Sequence, residues 1–161
     1  MPASLRSVRL RAFHEYWLGL ANGDVPARGD IDPVMIKPLL PYMMMVDLTE
    51  EPMRVLYRLV GTEVVSFTGL EFTGHYLDEL DFDEFDLGNL TDAYRAVRDA
   101  RLPGAGLAQY RENGLLLIET EYLICPLRSG SGKIDKCAAI EDYFLGGTSV
   151  FHLPPARFRR S

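Results

Sequence analysis

The chain has 161 residues, 47% of them hydrophobic, with a net charge of −6 and a pI near 5.1. That length fits one domain with a real core and argues against disorder. The acidic balance argues against non-specific nucleic-acid binding, which needs Lys and Arg against phosphates, and against a polybasic membrane-surface module. No run of eighteen apolar residues spans a bilayer, and Arg6, Arg9 and Arg11 break any secretory h-region, so a cytoplasmic protein is expected.

In chain order, Ser4 is expected to cap a first helix running to about Ala21 and closed by Asn22-Gly23. Its apolar stripe holds Leu10, Phe13, Trp17 and Leu20, with Leu5, Val8, Ala12 and Tyr16 beside it. So broad an arc must be buried against the chain's own sheet or a second copy. Next comes a connecting segment, in which Asp32-Pro33 reads as N-cap and first helical residue, while Pro38 and Pro41 stop the helix.

"YMMMVDL" and "RVLYRLVG" read as two strands of a hairpin, joined across Thr49 to Pro52. Alternation puts Val55, Tyr57 and Leu59 on one face, and Leu56 and Val60 on the other, so both faces need cover. Thr62 to Phe67 reads as one or two helical turns ended by Gly69, and His75 to Leu80 as another turn. The acidic run "DELDFDEFD" leads into a helix over Leu87 to Arg101 with stripe Leu87, Leu90, Tyr94 and Val97.

Three strands close the domain. "GLAQYRE" meets "LLLIETEYLICPL" at the hairpin signal Asn113-Gly114, and "RSGSG" turns the chain into "KIDKCAAIEDYF". The tail "PPARFRRS" reads as extended and loosely held. Short hairpins make the sheet antiparallel and put the mid-chain helices on one side of it, an α+β architecture.

The pieces "YWLGL", "DIDPVMIKPLLPYMMMVDL", "YRLVGTEVV" and "FTGHYLDEL" resemble the PAS domain, and more closely a family of small single-domain bacterial PAS proteins, over about Phe13 to Phe144. That resemblance implies a five-stranded antiparallel sheet with short helices on one face, a small cavity between them, and sensing with dimerisation or partner binding. It divides the chain into an N-terminal helix and connecting segment (1–41), a PAS core (42–147) and a C-terminal tail (148–161). Glycine punctuation between Arg58 and Leu80 then has a role: it lets several one-turn helices change direction within about twenty residues.

A ligand cavity would draw on Phe67, Phe72, Tyr76, Tyr94 and Val97 from the helical side. Tyr110, Tyr122, Ile124 and Ala139 would line it from the strands. A core filled by these same side chains is the simpler alternative. Phe13, Trp17 and Leu20 are candidates for a homodimer interface, with packing inside the chain as the alternative.

Other chemistries find little support. The long helix offers no His or Cys to a haem, and His75 is the only histidine near the cavity. The cysteine motif of flavin-binding PAS light sensors is missing. Cys125 and Cys137 lie on strands across the "RSGSG" turn, where a redox pair competes with two buried small hydrophobes. An EF-hand counted from Asp81 fails at Phe85 and Asp86. The acidic run is a solvated turn or a docking patch for a basic partner. His14, His75 and His152 are too dispersed for zinc, "RSGSGK" lacks P-loop spacing, and no serine has a nucleophile context.

The expectation is therefore a stand-alone PAS sensory module, not an enzyme. It would bind a small ligand and act through a homodimer or a separate signalling protein. A ligand-free interaction adaptor is the alternative, and an enzyme of unknown chemistry the third. The sequence names no cofactor.

Overall fold

A computed structural model describes residues 4–81, 85–86, 89–145 and 157–160. Helix α1 (Val8–Leu20) is followed by a 3-10 segment, Pro33–Tyr42, kinked at Ile36. Then come β1 (Met43–Leu48), β2 (Val55–Val60), α2 (Thr62–Thr68) and α3 (Leu90–Ala100). Strands β3 (Gly104–Glu112), β4 (Leu115–Arg128) and β5 (Ile134–Leu145) complete the order.

The five strands form one antiparallel sheet in the order β2-β1-β5-β4-β3, and the two-residue strand Phe85–Asp86 extends it beyond β3. Alternating side chains give the sheet two buried faces. The inner face packs Val46, Tyr57, Ile124, Cys137 and Ala139 against Val64 of α2, Phe72, and Tyr94 and Val97 of α3. The outer face packs Leu123, Cys125, Leu127, Ala138 and Ile140 against Leu10, Phe13 and Trp17 of α1. Both faces are thus covered by the chain itself. Burying Phe13 and Trp17 contributes about 1.5–3 kcal/mol each relative to exposure.

Local signals explain most element ends. Asp32 accepts a hydrogen bond from the Val34 amide at 3.0 Å. Gly69 closes α2 in the left-handed region (φ 72°), where its lack of a Cβ removes the steric cost. Asn113 (φ 52°) and Gly114 (φ 79°) make the primed turn between β3 and β4, whose twist suits a hairpin.

Four local expectations change. Ser7, not Ser4, caps α1: its Oγ accepts from the Leu10 amide at 3.1 Å. Helix α3 begins at Leu90, capped by Asn89, so Leu87 lies outside the described residues. In β2, Val46 faces Tyr57 while Met45 faces Leu59, so Arg58 is the extra residue of a bulge. The bulge resets the alternation: Leu59 becomes half exposed, while Val60 packs on the inner cluster. The tail is tied down where it is described. Arg157–Phe158 pairs with Leu80–Asp81, the Arg159 amide donates to Glu79 O at 2.6 Å, and Phe158 stacks on His75. Of the acidic run "DELDFDEFD", residues 82–84 fall outside the described residues.

Candidate functional site

On β5 the inner-face series Cys137, Ala139 continues by alternation to Glu141 and Tyr143. Opposite them on β4 stand Ile124, Tyr122 and Thr120, paired with Ala139, Glu141 and Tyr143 in turn. On β3, Gly106 and Ala108 face Tyr122 and Thr120. The sheet's floor here is small on one side and polar in the middle. Gly106 is required by the close approach of Tyr122: a Cβ at position 106 would sit 2.3 Å from the Tyr122 hydroxyl oxygen.

Helix α2 lays Phe67 flat on Tyr143, ring centroids 3.7 Å apart and planes 14° from parallel. The Tyr143 hydroxyl donates to Glu141 Oε1 at 2.6 Å. Tyr94 of α3 and Tyr57 of β2 share a hydroxyl–hydroxyl hydrogen bond near the same carboxyl. Phe72 meets the Tyr57 ring edge-on at 4.7 Å. Burial pushes the Glu141 carboxyl up to about 7, and only the Tyr143 hydrogen bond opposes that rise. Burial, reinforced by Glu141, holds the Tyr143 and Tyr57 hydroxyls firmly protonated. Glu141 nevertheless keeps part of its surface accessible. Thr120 is only 4% exposed, and its Oγ1 has no hydrogen-bond partner. Buried hydroxyls normally find a partner, and this one has none.

Six of the nine cavity candidates, Phe72, Tyr94, Val97, Tyr110, Ile124 and Ala139, are buried. Phe67 and Tyr122 are half-buried beside Glu141 and Thr120. Tyr76 is elsewhere: its ring lies under the Arg54 guanidinium at 3.6 Å, and Arg54 pairs with Asp78 at the surface. The sequence reading missed Glu141, Tyr143, Thr120 and Tyr57. Alternation from Ala139 along β5 was the signal that would have found the first two.

Trp17 and Phe13 are covered by the chain's own outer face, and the Trp17 indole donates to Pro126 O at 2.9 Å. Intrachain packing is what the helix stripe does, with half-buried Leu20 against the same cluster. Cys125 and Cys137 point to opposite faces, because Cys125 pairs with Ala138 and Cys137 with Pro126. They cannot form a redox pair without moving a strand, and burial raises both thiols, which keeps them unreactive. Among the described residues no cluster of His, Cys, Asp and Glu could hold a metal ion, and no helix is long and apolar enough to cross a membrane.

A family model described as a PAS domain matches residues 5–140. No curated protein matches the chain. Among solved structures, a light-oxygen-voltage domain studied with a flavin analogue is 17% identical, with 70% of this chain and 86% of that chain covered and a TM-score of 0.50. The dark-state domain of the blue-light photoreceptor Aureochrome1 is 15% identical, with 70% and 82% covered and a TM-score of 0.49. A mutant of Vivid is 14% identical, with 81% and 98% covered and a TM-score of 0.47. At these identities the likeness concerns the fold. The family match over residues 5–140, on a five-stranded antiparallel sheet closed by short helices, establishes that the chain belongs to the PAS domain family.

Proposed function

We propose that this PAS domain is a sensory module whose ligand site is the polar floor of the inner face: Thr120, Tyr122, Glu141 and Tyr143 beneath Phe67. One observation carries the reading. A half-buried carboxyl and an unpartnered buried hydroxyl stand two residues apart on neighbouring strands, beside an inner-face cluster of apolar and aromatic side chains. Leaving such groups unsatisfied costs about 1–3 kcal/mol each, and a ligand with matching groups recovers that cost.

Ligand binding would act on α2, the seven-residue helix that carries Phe67. A helix this short, held by few contacts, shifts at low cost. Its movement would change the surface offered to a second copy of the chain or to a separate signalling protein, with no catalytic step. Because Phe13 and Trp17 are covered within the chain, a homodimer would use other surfaces; Val8 (71% exposed) and Leu18 (43%) are on the open side of α1.

Native mass spectrometry of the protein purified from its own cells tests both halves. A small-molecule adduct is expected on the wild type and is lost from the double variant Thr120→Val, Glu141→Leu. A bare chain, or an adduct that the variant retains, sinks the reading. The same spectrum reports chain stoichiometry.

A further inference from the structure

Resting on that site, we propose that its ligand is a small organic cation, an amine or amidine with an aromatic or apolar body. The charged nitrogen would sit against Glu141 and Thr120, with the body among Phe67, Tyr122 and Tyr143.

Three features of the floor select for positive charge. First, acceptor positions remain open. Among the described residues Glu141 takes one hydrogen bond, from Tyr143, and the Thr120 Oγ1, which can accept as well as donate, takes none. An ammonium or amidinium nitrogen carries several donors, so it can donate to both. Thr120 and Glu141 sit diagonally across β4 and β5, a separation of about 7–8 Å between backbones that one small head group can bridge.

Second, the surrounding side chains are aromatic. Ring faces and a carboxylate together form the environment that recognises amines. Third, among the described residues the groups facing Glu141 from the packed strands and α3 supply no positive charge: Tyr57 from β2, Tyr94 from α3, Tyr122 from β4 and Tyr143 from β5. Glu63 of α2 adds negative charge near Tyr143. An anion would meet Glu141 with no cation among these groups to offset it. A cation supplies the missing charge, and it releases the Glu141 proton wherever the carboxyl is still protonated.

The test uses three isosteric probes on the isotope-labelled full chain, followed by amide NMR: benzylamine, benzyl alcohol and benzoate. Benzylamine is expected to move the amides of Thr120, Glu141 and Tyr143 saturably and to bind more tightly than the other two. Glu141 ionises near 7, so benzylamine affinity should rise roughly tenfold from about pH 6 to about pH 8. Glu141→Gln, an isosteric change, should abolish both the amine preference and the pH dependence. Benzoate binding as tightly as benzylamine, pH-independent amine binding, or an unchanged Glu141→Gln profile overturns the cation assignment. Binding of benzyl alcohol or benzoate at these amides without benzylamine leaves the sensory site standing and removes only the charge selection. Silence from all three probes removes both.

Discussion

The two faces of the sheet each bury acid, and they treat it differently. On the outer face Glu121 and Asp142 are cross-strand partners, 6% and 9% exposed. Each is fully answered. Glu121 accepts the Arg6 and Ser7 amides at 2.9 and 2.8 Å. Asp142 accepts the Ser7 hydroxyl at 2.7 Å and the Arg9 guanidinium at 3.2 Å. Beside them Arg6 pairs with Glu119 at 3.1 Å and lies over the Phe144 ring. On the inner face Glu141 has, among the described residues, one tyrosine hydroxyl and no cation. A buried acid with a full set of donors is a fastening. A half-buried acid short of donors has room to accept more, which is the basis of the ligand site proposed above.

Substitutions separate the two roles. The largest effect belongs to the outer face. Glu121→Ala strands the buried Ser7 amide and the part-buried Arg6 amide just before α1 and should destabilise the chain by about 3 kcal/mol. The urea midpoint reads this directly. No loss at that position would mean that the N-terminal segment is held by α1's apolar stripe alone.

The inner face should respond with the opposite sign. The folded chain holds the Glu141 proton up to about 7, against an ordinary 4.5, so folding stability falls as pH rises through that window. Glu141→Gln should therefore stabilise the ligand-free chain by on the order of 2 kcal/mol near pH 8 and flatten the slope between about pH 5 and pH 7. Thermal melts across this range decide it; a wild-type slope that survives the substitution assigns the proton elsewhere. Smallest is Thr120→Val. Removing a buried hydroxyl that has no partner should stabilise the ligand-free chain by about 1 kcal/mol. A loss above about 1 kcal/mol would show that the hydroxyl is already satisfied.

The sequence made the architecture readable because its punctuation is local. Gly69, Asn113-Gly114 and Asp32-Pro33 each act within four residues, and each does what its chemistry requires. Contacts distant in the chain were harder to read. Ser7 outranks Ser4 as a cap because Asp142, 135 positions away, receives its hydroxyl. The bulge at Arg58 depends on pairing with β1, and no residue type within β2 announces it. Cys125 and Cys137 sit near one another across a turn, yet a register offset of one residue sends them to opposite faces. The site was partly visible as a set of aromatics. Its polar centre was not, because Glu141 resembles any exposed strand acid until the parity of β5 is carried on from Ala139.

The bulged strand β2 has a bearing on how copies of the chain can meet. It forms one margin of the sheet, and an open margin invites another strand to add to it. Here the chain has already occupied part of that margin: the Tyr57 amide donates to His75 O at 3.0 Å, and Tyr57 O accepts from the Gly74 amide at 2.7 Å. With those backbone groups engaged and Arg58 turned toward Asp47, continuous strand-by-strand growth from this side is blocked. Contacts between copies at this margin would therefore run through side chains rather than through an added strand.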